Sequence, residues 1–461
     1  MTDEAQNSSW SGRQLDRRRF LKTSAGVAAG AAAGAAALGA PFDAYGAAAE
    51  SAAKSKLGPA PKQLSGSLTV AFFGAADIVK AWEPIFNTFR RIHPKVNLEL
   101  VPIAATDWTT YADSAMLQMA GGKQFDVLQA AVNVQRLFIS KNVVQPLDAY
   151  LARDHKQLAS YLSDEYQKFF QWGKTLVSGN GSTYYLPADF NTNCMWVNTK
   201  MFKDAGLPVP ADGWTWDDLM AAGPKIATSS DTFLIDLPAD TWDFQPWALT
   251  NGSDIMTPDW TKSTMSHPKT VAAAKFVQSL CVKGYAPKPS ATGTTFDPVT
   301  EFANDKLAIF SAGAWLNPSV KAAGAAGKAK IVAWPKKVRE GTTVGWNAYS
   351  VVKSSKNKEA AWAFLKYLNS AGVTTTLTKS GQANPGRKSI WFKYVPTAAP
   401  EQNVKELWTS LSYATPTPSP NASDAITLAA GKTLTQIYNS SSDPTPLLKA
   451  LDQQIDTLNK A

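Results

Sequence analysis

Between residues 68 and 131 the chain switches repeatedly between the two periodicities that separate strand from helix, and few folds accommodate that. Residues 68–73 are a short apolar run of the kind a buried strand needs, and Gly74 breaks it. Ile78, Ala81, Trp82, Ile85, Phe86 and Phe89 then recur at helical spacing as far as His93 and Pro94. In the next stretch, VNLELV, Val96, Leu98 and Leu100 alternate with polar neighbours, which predicts a second strand. Helical spacing returns over residues 107–120 and stops at Gly121 and Gly122, ahead of a third short strand, FDVLQA. Parallel strands need crossover helices of this length. The pattern therefore predicts an α/β sheet whose functional loops gather at the carboxyl ends of its strands.

One such sheet does not exhaust 461 residues of which 44% are apolar; length alone suggests about two or three domains. Further on come longer loops carrying tryptophan, GWTWDDL at 213–219 and DTWDFQPWALTNG at 240–252, and then helical periodicity in TVAAAKFVQSLC. The chain closes with a Pro/Ser/Thr-rich loop, TPTPSP at 415–420. Behind Asp443 and Pro444, a last helix carries Leu447, Leu448, Leu451, Ile455 and Leu458 on one face. Two α/β lobes are the economical reading. The formal net charge of +9 is spread out, with no basic run interleaved with aromatics, so no nucleic-acid groove is expected. Of the three histidines, His93 and His267 each precede a proline and His155 stands in a polar stretch, and no pair has metal-ligand spacing. Neither GxSxG nor a P-loop occurs, and no cofactor is expected. Cys194 and Cys281, without a framework of spacings, read as buried apolar thiols more readily than as a bridge.

The first 49 residues follow a different logic. DRRRFLKTS, with Arg17 and Arg18 as the pair, resembles a twin-arginine export signal, and an uncharged Ala/Gly-rich stretch at 25–40 follows it. That stretch is too short and too weakly apolar for a membrane span. An A-x-A cut after Ala49, or an A-x-G cut after Gly46, would release the chain outside the cytoplasm. Residues 50–64, rich in Ala, Lys and Pro, read as a flexible lead-in.

In YYLPADFNTNCMWVN, 184–198, an extended apolar stretch is interrupted by Asp189, Asn191 and Asn193 and then resumes. A buried strand has no use for such groups, since each unpaired polar atom removed from water costs about 1–3 kcal/mol. Either the segment crosses open water, its asparagines only capping turns, or something polar sits against it. Amides and carboxylates both donate to and accept from hydroxyls, and flat aromatic walls suit the C–H faces of sugar rings, so the 16 tryptophans carry weight here.

Three segments in order resemble the extracellular solute-binding proteins of ABC importers, specifically the carbohydrate-binding group around maltose-binding protein. They are YYLPADFNTNCMWVNTKMFKDAGLPVPADGWTWDDLMAA, FANDKLAIFSAGAW, and VGWNAYSVVKSSKNKEAAWAFLKYLN with QANPGRKS downstream. The resemblance implies a two-lobed periplasmic-binding-protein-like fold, each lobe a mostly parallel sheet with flanking helices, joined by three crossovers. Lobe I would comprise 65–188 and 349–383, and lobe II 189–348 and 384–461. The Leu-Pro segment would be the first crossover and part of the cleft floor. That arrangement nominates Asp77, Gln129, Asn133, Asp189, Asn191, Trp242, Gln245, Trp315, Trp346, Asn347 and Arg387 as ligand-binding residues, with Asn193 beside them. Arg387 could equally pair with a carboxylate across the hinge. Trp82 and Trp362 read as core, and Trp247 can be read the same way. The implied function is capture of a sugar or oligosaccharide by a monomer that delivers it to a membrane permease. A polyamine or polyol phosphate is the alternative cargo. A secreted glycan-processing enzyme is the rival class, with Asp189 and Asp243 or Asp77 as its carboxylates. Pro41 stands where a lipobox cysteine would fall, which argues against a lipid anchor.

Overall fold

The computed structural model describes residues 57–289, 296–398 and 402–460, apart from the side chains of 76–79 and 398. The export signal, both cleavage positions and the start of the lead-in lie outside these residues. Residues 57–65 carry no regular secondary structure. The first strand, β1, is Gly66–Phe73, and it is followed by the helix Ala76–Ile92, β2 (Val96–Ile103), the helix Trp108–Ala120 and β3 (Val127–Ala131). All of these were expected from periodicity. Gly74 has φ of 123°, a conformation strained for any side chain, which is how it ends β1 so abruptly. β1 pairs in parallel with β2 and with β3.

Seven more strands complete two sheets. These are β4 (Leu186–Thr192), β5 (Cys194–Asn198), β6 (Phe233–Ile235), β7 (Leu307–Ala312), β8 (Ala329–Val332), β9 (Thr342–Val351) and β10 (Ala414–Pro416). The first sheet has the order β10-β9-β3-β1-β2, with β4 also paired to β9, and the second has the order β6-β7-β5-β8. The expectation of mostly parallel sheets needs correcting, because both are mixed. β9 runs antiparallel to β3 and β4, and β5 runs antiparallel to β7 and β8. The antiparallel strands are the ones beside the crossings: β4 and β5 flank the passage at Asn193 and β9 follows the passage after β8, so each connects there to the other sheet and not through a crossover helix within its own.

The chain changes sheet at Asn193 and again over residues 333–341, between β8 and β9. A third passage runs beside β4, where Asp189 bridges Pro385 and the Phe190 N–H donates to the Asn384 carbonyl at 2.9 Å. The lobe boundaries expected at 188/189 and 348/349 fall inside β4 and β9, since the crossing segments are themselves extended strands of the first sheet.

Each sheet has its own aromatic core. Phe72 meets Trp82 edge-on at 4.9 Å, and Phe89 meets Phe364 at 5.0 Å, so Trp82 and Trp362 are core as expected. In the second lobe Trp196 stacks on Phe310, and Trp247 packs edge-on against Trp334. The helix Asp148–Asp164 is fastened to the helix Lys358–Leu368 through Asp154. This residue accepts from Arg153 Nε at 2.9 Å, Lys366 Nζ at 2.6 Å and Trp362 Nε1 at 2.7 Å. Cys194 and Cys281 are free and buried, and burial pushes both thiols up to about 12. Among the described residues no helix is long and apolar enough to cross a membrane.

Candidate ligand-binding site

The polar interruption of the Leu-Pro segment lies on β4, and its partners lie on β9. Asn347 pairs with Ala131 of β3 on one side and with Asp189 of β4 on the other. Its Nδ2 donates to Asp189 Oδ1 at 2.7 Å. A bulge between Pro187 and Asp189 shifts the register there, the sort of irregularity that re-aims a side chain. Burial pushes the Asp189 carboxyl up to about 7, and the Asn347 amide only partly offsets it.

Two residues further along, Asn191 Oδ1 accepts from the Ala314 N–H at 2.9 Å and so holds the short turn Ala314–Leu316 against β4. The ring of Trp315 lies across Gly313. A Cβ on Gly313 would come within 2.2 Å of that ring and 2.6 Å of the Asn191 Cβ, so only glycine lets the indole lie flat there. Trp315 remains 48% exposed. Trp242, in the first turn of the helix Thr241–Thr250, meets it edge-on with centroids 5.8 Å apart and covers Gly345 of β9. The buried Trp242 Nε1 has no hydrogen-bond partner among the described residues. β4, β7 and β9 thus bring together Asp189, Asn191, Asn347, Trp242 and Trp315: two aromatic faces beside a row of amide and carboxylate groups.

The second sheet adds acids at the same edge. Asp236 directly follows β6, and Asp240 caps the 241–250 helix by accepting from the Asp243 N–H at 2.9 Å. Asp243 accepts from Asn193 Nδ2 at 2.9 Å and from Ser311 Oγ at the end of β7. Desolvation raises all three carboxyls, Asp236 to about 7, and Asp240 and Asp236 raise Asp243 further. Asp107, which caps the 108–120 helix of the first lobe through the Thr110 N–H, adds its charge to Asp240. Sequence reasoning missed Asp107, Asp236 and Asp240 as site residues. Asp107 and Asp240 were legible as helix caps, each followed three residues on by the amide it accepts from.

Several nominated residues lie elsewhere or are committed. The side chain of Asp77, in the first turn of the 76–92 helix, is outside the described residues. Asn133 is half-buried in the first turn of the helix Val132–Ser140, directly after β3. Gln129 is 6% exposed, and its Oε1 accepts from the Phe73 N–H at 3.0 Å, stitching β3 to the end of β1. Gln245 is withdrawn from the ligand wall: it is fully buried, donating to Asp254 and the Pro416 carbonyl and accepting from Thr343. Trp346 is withdrawn as well, at 2% exposure, because its ring stacks on Phe169 and Trp172 in one aromatic cluster. Arg387 is a structural clasp. Its Nε pairs with Asp164 at 3.1 Å, and its other nitrogens donate to Asn369 and Ser160.

Two jaws of mixed sheet with polar groups on the connecting strands define a solute-binding architecture. The model of the bacterial extracellular solute-binding protein family matches residues 75–375, and the chain belongs to that family. A binding-protein homologue from Brucella abortus is 25% identical over 299 residues, covering 62% of this chain and 68% of its own length. Among solved structures, the chain is similar to the ABC substrate-binding protein of Listeria monocytogenes in complex with cycloalternan. The TM-score is 0.76 at 23% identity, over 85% of this chain and 98% of that one. The GacH receptor of Streptomyces glaucescens, solved unliganded and with acarbose, follows at TM-score 0.73 and 22% identity over 86% of this chain and 99% of that one. The family and these neighbours are binding proteins rather than enzymes.

Proposed function

We propose that the protein is the substrate-binding component of an ABC importer, exported by the twin-arginine route, which captures a sugar or oligosaccharide between its lobes and delivers it as a monomer to a membrane permease. One observation carries the reading. On the strands that run between the lobes, Asp189, Asn191 and Asn347 form a polar row beside the half-exposed ring of Trp315. Hydroxyls meet the row and an apolar sugar face meets the indole. The fold neighbours bound to cycloalternan and to acarbose support the same class of cargo. Ligand favours closure only by touching both lobes better when they are shut, and determinants on β4 and β9 and on the second lobe meet that condition. Affinity near micromolar, about 8 kcal/mol, is enough to scavenge and still release.

The test is thermal unfolding of the purified protein against a sugar library. A true ligand at one hundred times its Kd adds about 2.7 kcal/mol of stability. Trp315→Ala is expected to weaken that ligand about tenfold, or about 1.4 kcal/mol, without lowering the unliganded Tm. A response confined to spermidine or glycerol phosphate would overturn the sugar assignment, and turnover of labelled oligosaccharides would overturn the binding role.

A further inference from the structure

We propose that the captured sugar carries a protonated amine, held at the edge of the second sheet by Asp240, Asp243 and the amide oxygen of Asn193, an inference that rests on the sugar-binding reading. Asp236, Asp240 and Asp243 meet at one edge, where β6 and β7 end and β5 begins. Ligands of open α/β sheets bind at that kind of edge. All three carboxylates are half-buried, and none forms an ion pair with a described lysine or arginine, although the chain as a whole carries +9. Acids alone would not make a site.

The independent observation is Asn193. It is fully buried, its Nδ2 is anchored on Asp243 Oδ1 at 2.9 Å and on the Trp242 carbonyl at 3.3 Å, and its Oδ1 has no partner among the described residues. A buried acceptor left unpaired costs stability, so it is kept for a donor that arrives from outside. Trp242, whose carbonyl meets Asn193, also carries an Nε1 that is a buried donor without an acceptor among the described residues. Carboxylates and a free carbonyl call for an ammonium, which has three N–H donors and no acceptor. The indole N–H calls for a neighbouring oxygen. A sugar with an amine next to a hydroxyl or ring oxygen supplies both in one rigid unit, and its C–H face can lie on Trp315.

The experiment is calorimetric titration of the purified protein with matched sets of mono- and oligosaccharides bearing a free amine, an N-acetyl group or a hydroxyl at the same carbon. The amine form is expected to bind at least about tenfold more tightly than its neutral counterparts. That preference should shrink as sodium chloride rises in the wild-type protein, and it should disappear in Asp240→Asn and Asp243→Asn. The salt series needs no variant to fold. Neutral sugars that bind as tightly as amines, or an amine preference untouched by salt, would overturn this inference and leave the sugar reading intact. Silence toward every sugar, with or without a response to spermidine, would overturn both.

Discussion

Two groups of carboxylates in this molecule meet opposite fates. In the first lobe Asp154, 3% exposed, is surrounded by Arg153, Lys366 and the Trp362 indole N–H. Burial alone would push its carboxyl up, but those hydrogen bonds pull it down to about 2. In the second lobe Asp236, Asp240 and Asp243 form no ion pair with a lysine or arginine among the described residues, and their carboxyls are raised. The first group is finished within the fold, since every charge has its counter-charge. The second is unfinished, and a carboxylate kept without a cation marks a surface meant for something else.

Removing the charge should tell the two apart most sharply. Asp154→Ala leaves Lys366 and Arg153 facing each other without their shared anion, and breaking a buried pair of this kind costs about 3–5 kcal/mol. Asp243→Asn removes a carboxylate whose charge burial and its neighbours oppose, and the amide can still accept from Asn193. It should change stability by no more than about 1 kcal/mol in either direction. Urea unfolding of both variants measures this. If Asp243→Asn proves as costly as Asp154→Ala, the distinction between finished and unfinished carboxylates fails.

The tryptophans sharpen the same contrast at a somewhat smaller scale. Trp346 is buried in a cluster with Phe169 and Trp172, and Trp346→Phe should cost about 1–3 kcal/mol by leaving part of that cluster unfilled. Trp315→Phe, at a half-exposed ring, should leave the unliganded Tm within a degree or two and register only in ligand affinity.

How far the sequence discloses these roles depends on the range of the interaction. The alternation that defines β1 to β3 is local, since each strand and helix declares itself within about ten residues. The polar break at Asp189, Asn191 and Asn193 is local too, because period-two spacing puts the three on one face. The same rule could have separated Trp346 from Asn347: adjacent residues on a strand point to opposite faces, so both could not face a ligand. Arg387 was not decidable, because its partners Asp164 and Ser160 lie over 220 positions away in sequence. Nor were the second-lobe acids. Asp236 and Asp243 become a site only when β6, β7 and the turn at Asn193 end at one edge, which no local pattern encodes.

A pH slope of opposite sign should also separate the two groups. Asp154 has a folded pKa of about 2 against an ordinary value of 3.8, so the unfolded chain binds more protons between those values. Its contribution is complete above pH 4 and is lost as pH falls toward 2. Asp236 and Asp189 are raised from 3.8 to about 7, so between pH 4 and 7 the folded chain holds more protons and each group costs stability as pH rises, levelling off above 7. Measuring the urea midpoint from pH 4 to 7 should therefore give a shallower fall in Asp236→Asn than in the parent. The residual slope should flatten further when Asp189→Asn is added, while Asp154→Asn should leave the slope over that interval unchanged. A slope that Asp236→Asn fails to reduce would mean that this carboxylate is already ionised at pH 5, with a counter-charge close by, and the two groups would then differ in position rather than in kind.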